Sequence, residues 1–367
     1  MKVSIPQETL LESLKIVSRA VSGQATLPVL GNILIKAENK KVYFAATNLE
    51  VSITTSAEAN VKNEGAITVP AKILTAYTSL LGKNDEVELA VESGTDLSIK
   101  SKSSKTKIKG ISADEFPEIA RVESGAKLEL KSKDFKAAMD QVAFSAQENA
   151  SRPILSGVYL HATGNELRLA ATDSYRLSEK FLKLDTEAKT TTCVIPVRAV
   201  LEADRLSGGA EAIQITISDN QAMFTLGGTE LTTRLIEGQF PDYQQIIPKK
   251  SATQVLVARD ELELAVRRVS IFAKENNQHM KVELQSDSTM VVYTDATEIG
   301  EERTTIPVKL EGEANIIALN ADYVLDVLSA LSDEKEIRIE LDGKLSPAVV
   351  KAPKADDFIH LIMPLKM

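Results

Sequence analysis

The sequence predicts an α+β protein made of three copies of one unit, each copy a pair of helices set among antiparallel strands. Three sets of markers carry this prediction. Thr47, Thr172 and Thr294 each close a pair of alternating apolar runs, in "VYFAATNLE", "LRLAATDSYRL" and "MVVYTDATEIGEE", at intervals of 125 and 122 residues. Val69-Pro70, Ile195-Pro196 and Leu319-Asn320 each open an apolar helical pattern, 126 and 124 residues apart. Phe116-Pro117, Phe240-Pro241 and Met363-Pro364 recur at 124 and 123. The period is far longer than the roughly 20 to 50 residues of a solenoid repeat, so each copy is expected to have a core of its own.

Within each copy the elements follow one order. "ETLLESLKIVSRAVS", "KDFKAAMDQVAFSAQ" and "RDELELAVRRVSIFAKE" carry apolar residues at helical spacing, with Asp134 and Asp260 in N-cap position. Alternating runs that read as strands come next, followed by a second helix in "AKILTAYTSLLG", "VRAVLEADRLSGG" and "NADYVLDVLSAL". Gly82 and Gly208 lie just past the first two of these, where a helix can end. Further strands such as "EVELAVES", "AIQITISD" and "QAMFTLGG" complete each unit. Polar stretches at 122–125 and 248–251 separate the copies, which places the domains at 1–122, 126–248 and 251–367. The repetition of the AAT-Asn/Asp phrase is then architectural first.

Composition narrows the function. The chain of 367 residues is 43% hydrophobic and 26% charged, as expected of a soluble globular protein without membrane spans. A single cysteine, Cys193, excludes an intrachain disulfide and fits a reducing cytoplasm. MKVSIPQETLLESL sets a Pro and an acidic residue where a signal peptide needs its apolar core, so secretion is not expected and the sequon at Asn149 reads as an accident of composition. Phosphate loop, dinucleotide GxGxxG, GxSxG elbow and HExxH are all missing, and the three histidines show no metal-ligand spacing. Nothing here points to catalysis, a metal or a cofactor. A net charge of −9 argues against a conventional nucleic-acid binder, which gains affinity by neutralising phosphates.

TLPVLGN at 26–32, AATD at 170–173 followed by Tyr175-Arg176-Leu177, EGQFPDY at 237–243, NADYVLDVL at 320–328 and the C-terminal MPLKM together resemble the bacterial beta sliding clamp family, processivity subunits of the replicative DNA polymerase. The resemblance runs from residue 1 to 367. It implies a head-to-tail homodimer, a ring of six domains with helices lining a hole for double-stranded DNA, no catalytic activity, and an ATP-dependent clamp loader to open it. It also implies that polymerase subunits and repair proteins dock a short linear peptide in an apolar pocket. The matching pocket positions are Leu155, Thr172, Leu177, Pro241, Ile246, Asn320, Tyr323, Ser346, Met363, Pro364 and Leu365, rimmed by Ser174, Tyr175 and Arg176. Met and Leu give such a pocket an adaptable apolar surface.

A closed ring holds DNA by topology and needs little local affinity, which reconciles the acidic chain with a DNA partner. The six predicted helical stretches carry equal numbers of acidic and basic residues, so the acidic excess lies outside them. The expected DNA contacts are Gln24, Lys72, Asn149, Arg152 and Arg198. Gln24 stands where many relatives carry a basic residue. Ring closure is expected between the lysine-rich strand of the first domain (Lys100, Lys105, Thr106, Lys107, Ile108) and the third domain of another copy (Ile271, Phe272, Glu298, Glu301, Glu302), with opposite charges setting the orientation.

Overall fold

The computed structural model describes every residue except 24–26, 93, 120, 148–151 and 297. Six α-helices are present among the described residues: α1 (Gln7–Val17), α2 (Ala71–Ser79), α3 (Ser132–Val142), α4 (Val197–Leu206), α5 (Arg259–Ala273) and α6 (Ala321–Ala330). The first helix of each copy buries one matching stripe. Leu10, Leu14 and Val17 in α1 correspond to Phe135, Met139 and Val142 in α3 and to Leu262, Val266 and Val269 in α5. Each stripe steps by four and then three residues, the spacing that keeps side chains on one helical face.

The second helices start immediately after Pro70, Pro196 and Asn320. Proline at this boundary costs nothing, because the first backbone N–H groups of a helix have no intrahelical partner. Asn320 caps actively: its side-chain oxygen accepts from the backbone N–H groups of Asp322 (2.9 Å) and Tyr323 (3.3 Å). Asp134 and Asp260 are not N-caps. They sit inside the first turns of α3 and α5, where a carboxylate meets the positive end of the helix dipole.

The chain forms two compact units, and neither coincides with one repeat. The first comprises residues 1–133 and 198–235. Its five-stranded sheet orders Asn60–Asn63, Lys2–Pro6, Glu86–Ala90, Asp96–Lys100 and Lys105–Lys109. Its eight-stranded sheet orders Ala126–Lys131, Ala212–Ile217, Gln221–Leu226, Thr229–Arg234, Val51–Glu58, Lys41–Thr47, Asn32–Glu38 and Gly65–Pro70. In the middle of the latter, Thr229–Arg234 lies antiparallel to Val51–Glu58 with Leu231 opposite Ile53. A strand after residue 200 thus completes a sheet begun before residue 60.

The second unit comprises residues 134–197 and 236–367 and repeats the device. Its seven-stranded sheet orders Gly157–Thr172, Arg176–Pro196, Phe358–Ile362, Ala348–Lys351, Glu336–Leu341, Thr253–Ala258 and Lys309–Gly312. Arg176–Pro196 lies antiparallel to Phe358–Ile362, with Leu177 opposite Leu361. A four-stranded sheet orders Arg303–Pro307, Thr289–Tyr293, His279–Gln285 and Asn315–Asn320. Lys105–Lys109 in the first unit and Arg303–Pro307 in the second are outer strands, each with one neighbour among the described residues.

Candidate functional site

The repeated phrase builds the same turn twice. The Thr47 hydroxyl donates to Val51 O (3.2 Å) and accepts from the backbone N–H of Leu49 (3.0 Å), while the Asn48 side chain accepts from the N–H groups of Glu50 and Val51. The Thr172 hydroxyl donates to Arg176 O (2.6 Å) and accepts from Ser174 N–H (3.1 Å). Asp173 accepts from the N–H groups of Tyr175 and Arg176, both at 2.9 Å. Leu49 and Ser174, at the apex, have φ of 76° and 80° in the left-handed region, a strained conformation that the paired side-chain bonds hold in place. The third copy keeps the Thr without the turn: Thr294 donates its backbone N–H to Glu302 O, and its hydroxyl has no partner among the described residues.

What surrounds the second turn sets it apart. Tyr175 projects outward, 63% exposed. Arg176 folds back: Nε donates to Asp173 Oδ2 at 3.0 Å, Nη1 pairs with Asp326 of α6, and the guanidinium lies 4.4 Å above the Tyr323 ring and 5.5 Å from that of Phe144. Two carboxylates and two rings thus occupy a largely buried cation. Burial in turn raises the Tyr323 hydroxyl pKa, with the Asp173 charge adding to it.

The C-terminal residues are held against this turn. Tyr175 O accepts from Met363 N–H (2.8 Å), Ala318 O accepts from Leu365 N–H (2.8 Å), and His279 Nε2 bonds Lys366 O (2.9 Å). The strand Ala348–Lys351 runs alongside, with Ala348 opposite Ile362. Leu345 and Ser346 lie in a turn just before that strand, where the Ser346 hydroxyl donates to Asp342 O (3.3 Å). Leu345 is 86% exposed, and Met363, Pro364 and Leu365 are half-buried. Pro241 and Ile246, also exposed, stand on a segment anchored by Tyr243, whose hydroxyl donates to the buried Glu179 carboxylate. Burial, first, and Glu179 raise the Tyr243 pKa well above its ordinary value. Leu155 and Leu177 are buried in one cluster with Phe240, Tyr243 and Leu361, and form the floor beneath these groups.

Behind Arg176 lies a polar chain: His360 Nδ1 to Ser178 Oγ at 2.8 Å, and Ser178 Oγ to Ser145 Oγ at 2.8 Å. His360 is fully buried, and burial together with the Arg176 charge lowers its pKa to about 3, so the ring is neutral.

Within the second unit, described contacts link Thr172, Ser174, Tyr175 and Arg176 to Met363 and to Tyr323 at the capped start of α6, and Leu155 and Leu177 share one buried cluster. Sequence reasoning missed Phe144 and Asp326. Asp326 lies one helical turn beyond Tyr323, a spacing that could have revealed it.

Of the residues expected at DNA, Lys72 on α2 and Arg198 on α4 are exposed and have no ion-pair partner among the described residues, and Arg152 Nη1 donates to Ser174 Oγ (3.3 Å). Gln24 and Asn149 lie outside the described residues. Of those expected at the closing interface, Lys100, Lys105 and Lys107 are exposed and Thr106 is half-buried. Ile108 is buried opposite Leu97 in its own sheet and does not present the apolar edge expected of it. Ile271 is exposed, Phe272 is half-buried beside Gly300, Glu298 and Glu301 are exposed, and the Glu302 carboxylate accepts from the Thr304 hydroxyl. Ile73, Ala76 and Leu80, exposed along one side of α2, were not foreseen.

Among the described residues no cluster of His, Cys, Asp and Glu could hold a metal ion, and no helix is long and apolar enough to cross a membrane.

Comparison with known proteins covers the whole chain. Residues 1–120 match the N-terminal domain of the DNA polymerase III beta subunit, 129–242 its central domain and 244–366 its C-terminal domain. A beta sliding clamp of Synechocystis sp. is 31% identical and that of Bacillus subtilis 28%, each over the full length of both chains. The solved DNA polymerase sliding clamp of Bacillus subtilis superposes with a TM-score of 0.96 at 27% identity, covering 100% of this chain and 99% of that one. The DNA polymerase III subunit beta of Pseudomonas aeruginosa does so with 0.95 at 26%, covering all of both.

Proposed function

The chain belongs to the DNA polymerase III beta subunit family and is a non-catalytic DNA sliding clamp of replication, with DNA and polymerase as its partners; from that premise we propose that two copies close head to tail into a ring and that the Thr172 surface is where partner peptides dock.

The observation that carries ring closure is an unfinished repeat. Strand Val51–Glu58 follows the first helix of repeat one, and Arg176–Pro196 stands in the same place in repeat two. Each pairs with the last strand of the next repeat, Thr229–Arg234 and Phe358–Ile362 respectively. The two strands left over by this rule are Arg303–Pro307 of repeat three and Lys105–Lys109 of repeat one, and both are outer strands. A second copy would supply each with its antiparallel neighbour. An exposed edge of this kind is otherwise an aggregation hazard, which its lysines restrain.

The helices support the same junction. By their buried stripes Arg19, Phe144 and Ile271 are equivalent, and counting from the starts of α2, α4 and α6 so are Ala76, Glu202 and Asp326. Within the chain the first pairing is an ion pair, Arg19 with Glu202 at 3.3 Å. In the second, Arg176 bridges Phe144 and Asp326. The third pairing would set exposed Ile271 of one copy against Ala76 of another, between Ile73 and Leu80. That contact is apolar, and closure of a two-membered ring makes it twice. It replaces Ile108 as the apolar part of the interface, with the lysines facing Glu298 and Glu301 at its rim.

A ring linked to DNA topologically tolerates weak phosphate contacts, and of the residues expected at DNA Lys72 and Arg198 are exposed with no ion-pair partner among the described residues. Partner peptides would lay apolar side chains on Ile246 and the half-buried Met363–Leu365 segment beside Tyr175, with the buried Leu155 and Leu177 supporting the surface from within. Light scattering of the purified protein tests closure, a mass of one chain counting against it. Retention on nicked circular plasmid after loading by a clamp loader with ATP, and loss when the plasmid is linearised, tests encirclement.

A further inference from the structure

One face of α4 carries Arg198, Glu202 and Arg205, at positions i, i+4 and i+7. Glu202 stands between two cations, not one. Its Oε2 accepts from Arg19 Nη1 of the first repeat at 3.3 Å, and its Oε1 pairs with Arg205 Nη1. The arginine side chains are about half exposed, 42% and 57%, whereas Glu202 is at 21%. A single half-sheltered carboxylate therefore occupies two solvent-facing guanidinium groups, beside an Arg198 that has no ion-pair partner among the described residues.

We infer that Glu202 sets the grip of the ring on duplex DNA, by withholding Arg19 and Arg205 from the phosphates that Arg198 is free to meet. The inference rests on the proposed passage of DNA along the helices. A guanidinium already bonded to a carboxylate must give up that bond to reach a phosphate, so its net gain from counterion release is largely cancelled. With Glu202 in place the patch offers one unencumbered arginine. Without the charge it offers three. Local affinity stays low enough for sliding while the positive field near the duplex is kept.

The test is equilibrium binding of the full-length protein to a fluorescent duplex oligonucleotide across a salt series, with plasmid retention in parallel. Each added phosphate contact steepens the log-log salt dependence by about 0.9, which at 0.1 M salt is an affinity gain of about 8-fold. Glu202→Gln is expected to tighten binding by about 8-fold to 60-fold and steepen the slope by about 0.9 to 1.8, for one or two released arginines. Glu202→Asp, which keeps the charge, is expected to stay near the wild type. Adding Arg19→Ala and Arg205→Ala to Glu202→Gln should restore the wild-type slope; a purely structural tie would leave that slope unmoved throughout. Equal affinity and slope for wild type and Glu202→Gln, with wild type retained on circles, overturns the inference alone. Wild type that is not retained on circles overturns the encirclement reading and this inference with it.

Discussion

Replacing Thr172 by Val tests the link between the repeated turn and docking, because Thr47→Val makes the same change where no docking surface is proposed. Val keeps the shape of Thr and removes the hydroxyl. At 172 this deletes the bonds to Arg176 O (2.6 Å) and Ser174 N–H (3.1 Å); at 47 it deletes their counterparts at 3.2 and 3.0 Å and a third bond, donated by the Ser52 hydroxyl (2.8 Å). Each bond contributes about 0.5–1.5 kcal/mol net, so Thr172→Val should lose about 1–3 kcal/mol and Thr47→Val about 1.5–4.5 kcal/mol, read as a shift of the urea midpoint. The effects on docking differ. The second turn orients Tyr175 and Arg176 and holds Met363 through Tyr175 O, so loosening it disorders three parts of the surface at once. If about 1.4 kcal/mol of that loss reaches the bound state, the Kd of a fluorescent apolar peptide selected against the wild-type protein rises about 10-fold. Thr47→Val should leave it unchanged. Equal weakening by both variants, or a Thr172→Val protein that loses stability at unchanged Kd, would refute the reasoning.

Other outcomes follow from the same geometry. Asp326→Asn removes one of the two carboxylates on a largely buried Arg176 and should weaken peptide binding several-fold in a fluorescence titration, with oligomeric state unchanged. Ile271→Asp sets a carboxylate into the proposed apolar junction, and light scattering should register a single chain in place of two. His360 is held neutral with its pKa lowered to about 3, against about 6.5 in the unfolded chain. Its contribution is thus present above pH 6.5 and is lost as pH falls from there towards 3, at up to about 1.4 kcal/mol per pH unit. His360→Asn should flatten urea-derived stability between pH 6.5 and 4.5. Cys193, pushed up to about 12 by burial, should react with a thiol reagent at pH 8 only under unfolding conditions.

The helices were legible because their signal is local. Periodic apolar residues place all six, and the second-helix starts at Pro70, Pro196 and Asn320 need only the neighbouring residue. Asp134 and Asp260 misled because an acid near a helix start serves equally as cap or as first-turn partner of the dipole, and only backbone geometry separates the two. Sheet partners were not legible: nothing in "TELTTR" says that it pairs with "VSITTSAE" some 170 residues earlier. Ile108 failed for a related reason. Strand alternation says that residues share a face, and leaves open whether that face is inward. At the candidate site, Thr172, Tyr175 and Arg176 were visible as a phrase and Asp326 as the residue one turn beyond Tyr323, while Phe144 enters through a tertiary contact with Arg176 that no spacing encodes.

The two sheets that cross repeat boundaries separate covalent from mechanical continuity. Where the chain passes from the first repeat to the second, at 122–125, Thr229–Arg234 is already hydrogen-bonded to Val51–Glu58 on the far side. At 248–251 the same holds for Arg176–Pro196 and Phe358–Ile362. A protease cutting either polar stretch would leave a nicked protein whose pieces remain clasped by a full ladder. The repeats are thus joined by shared sheets as well as by the peptide links between them.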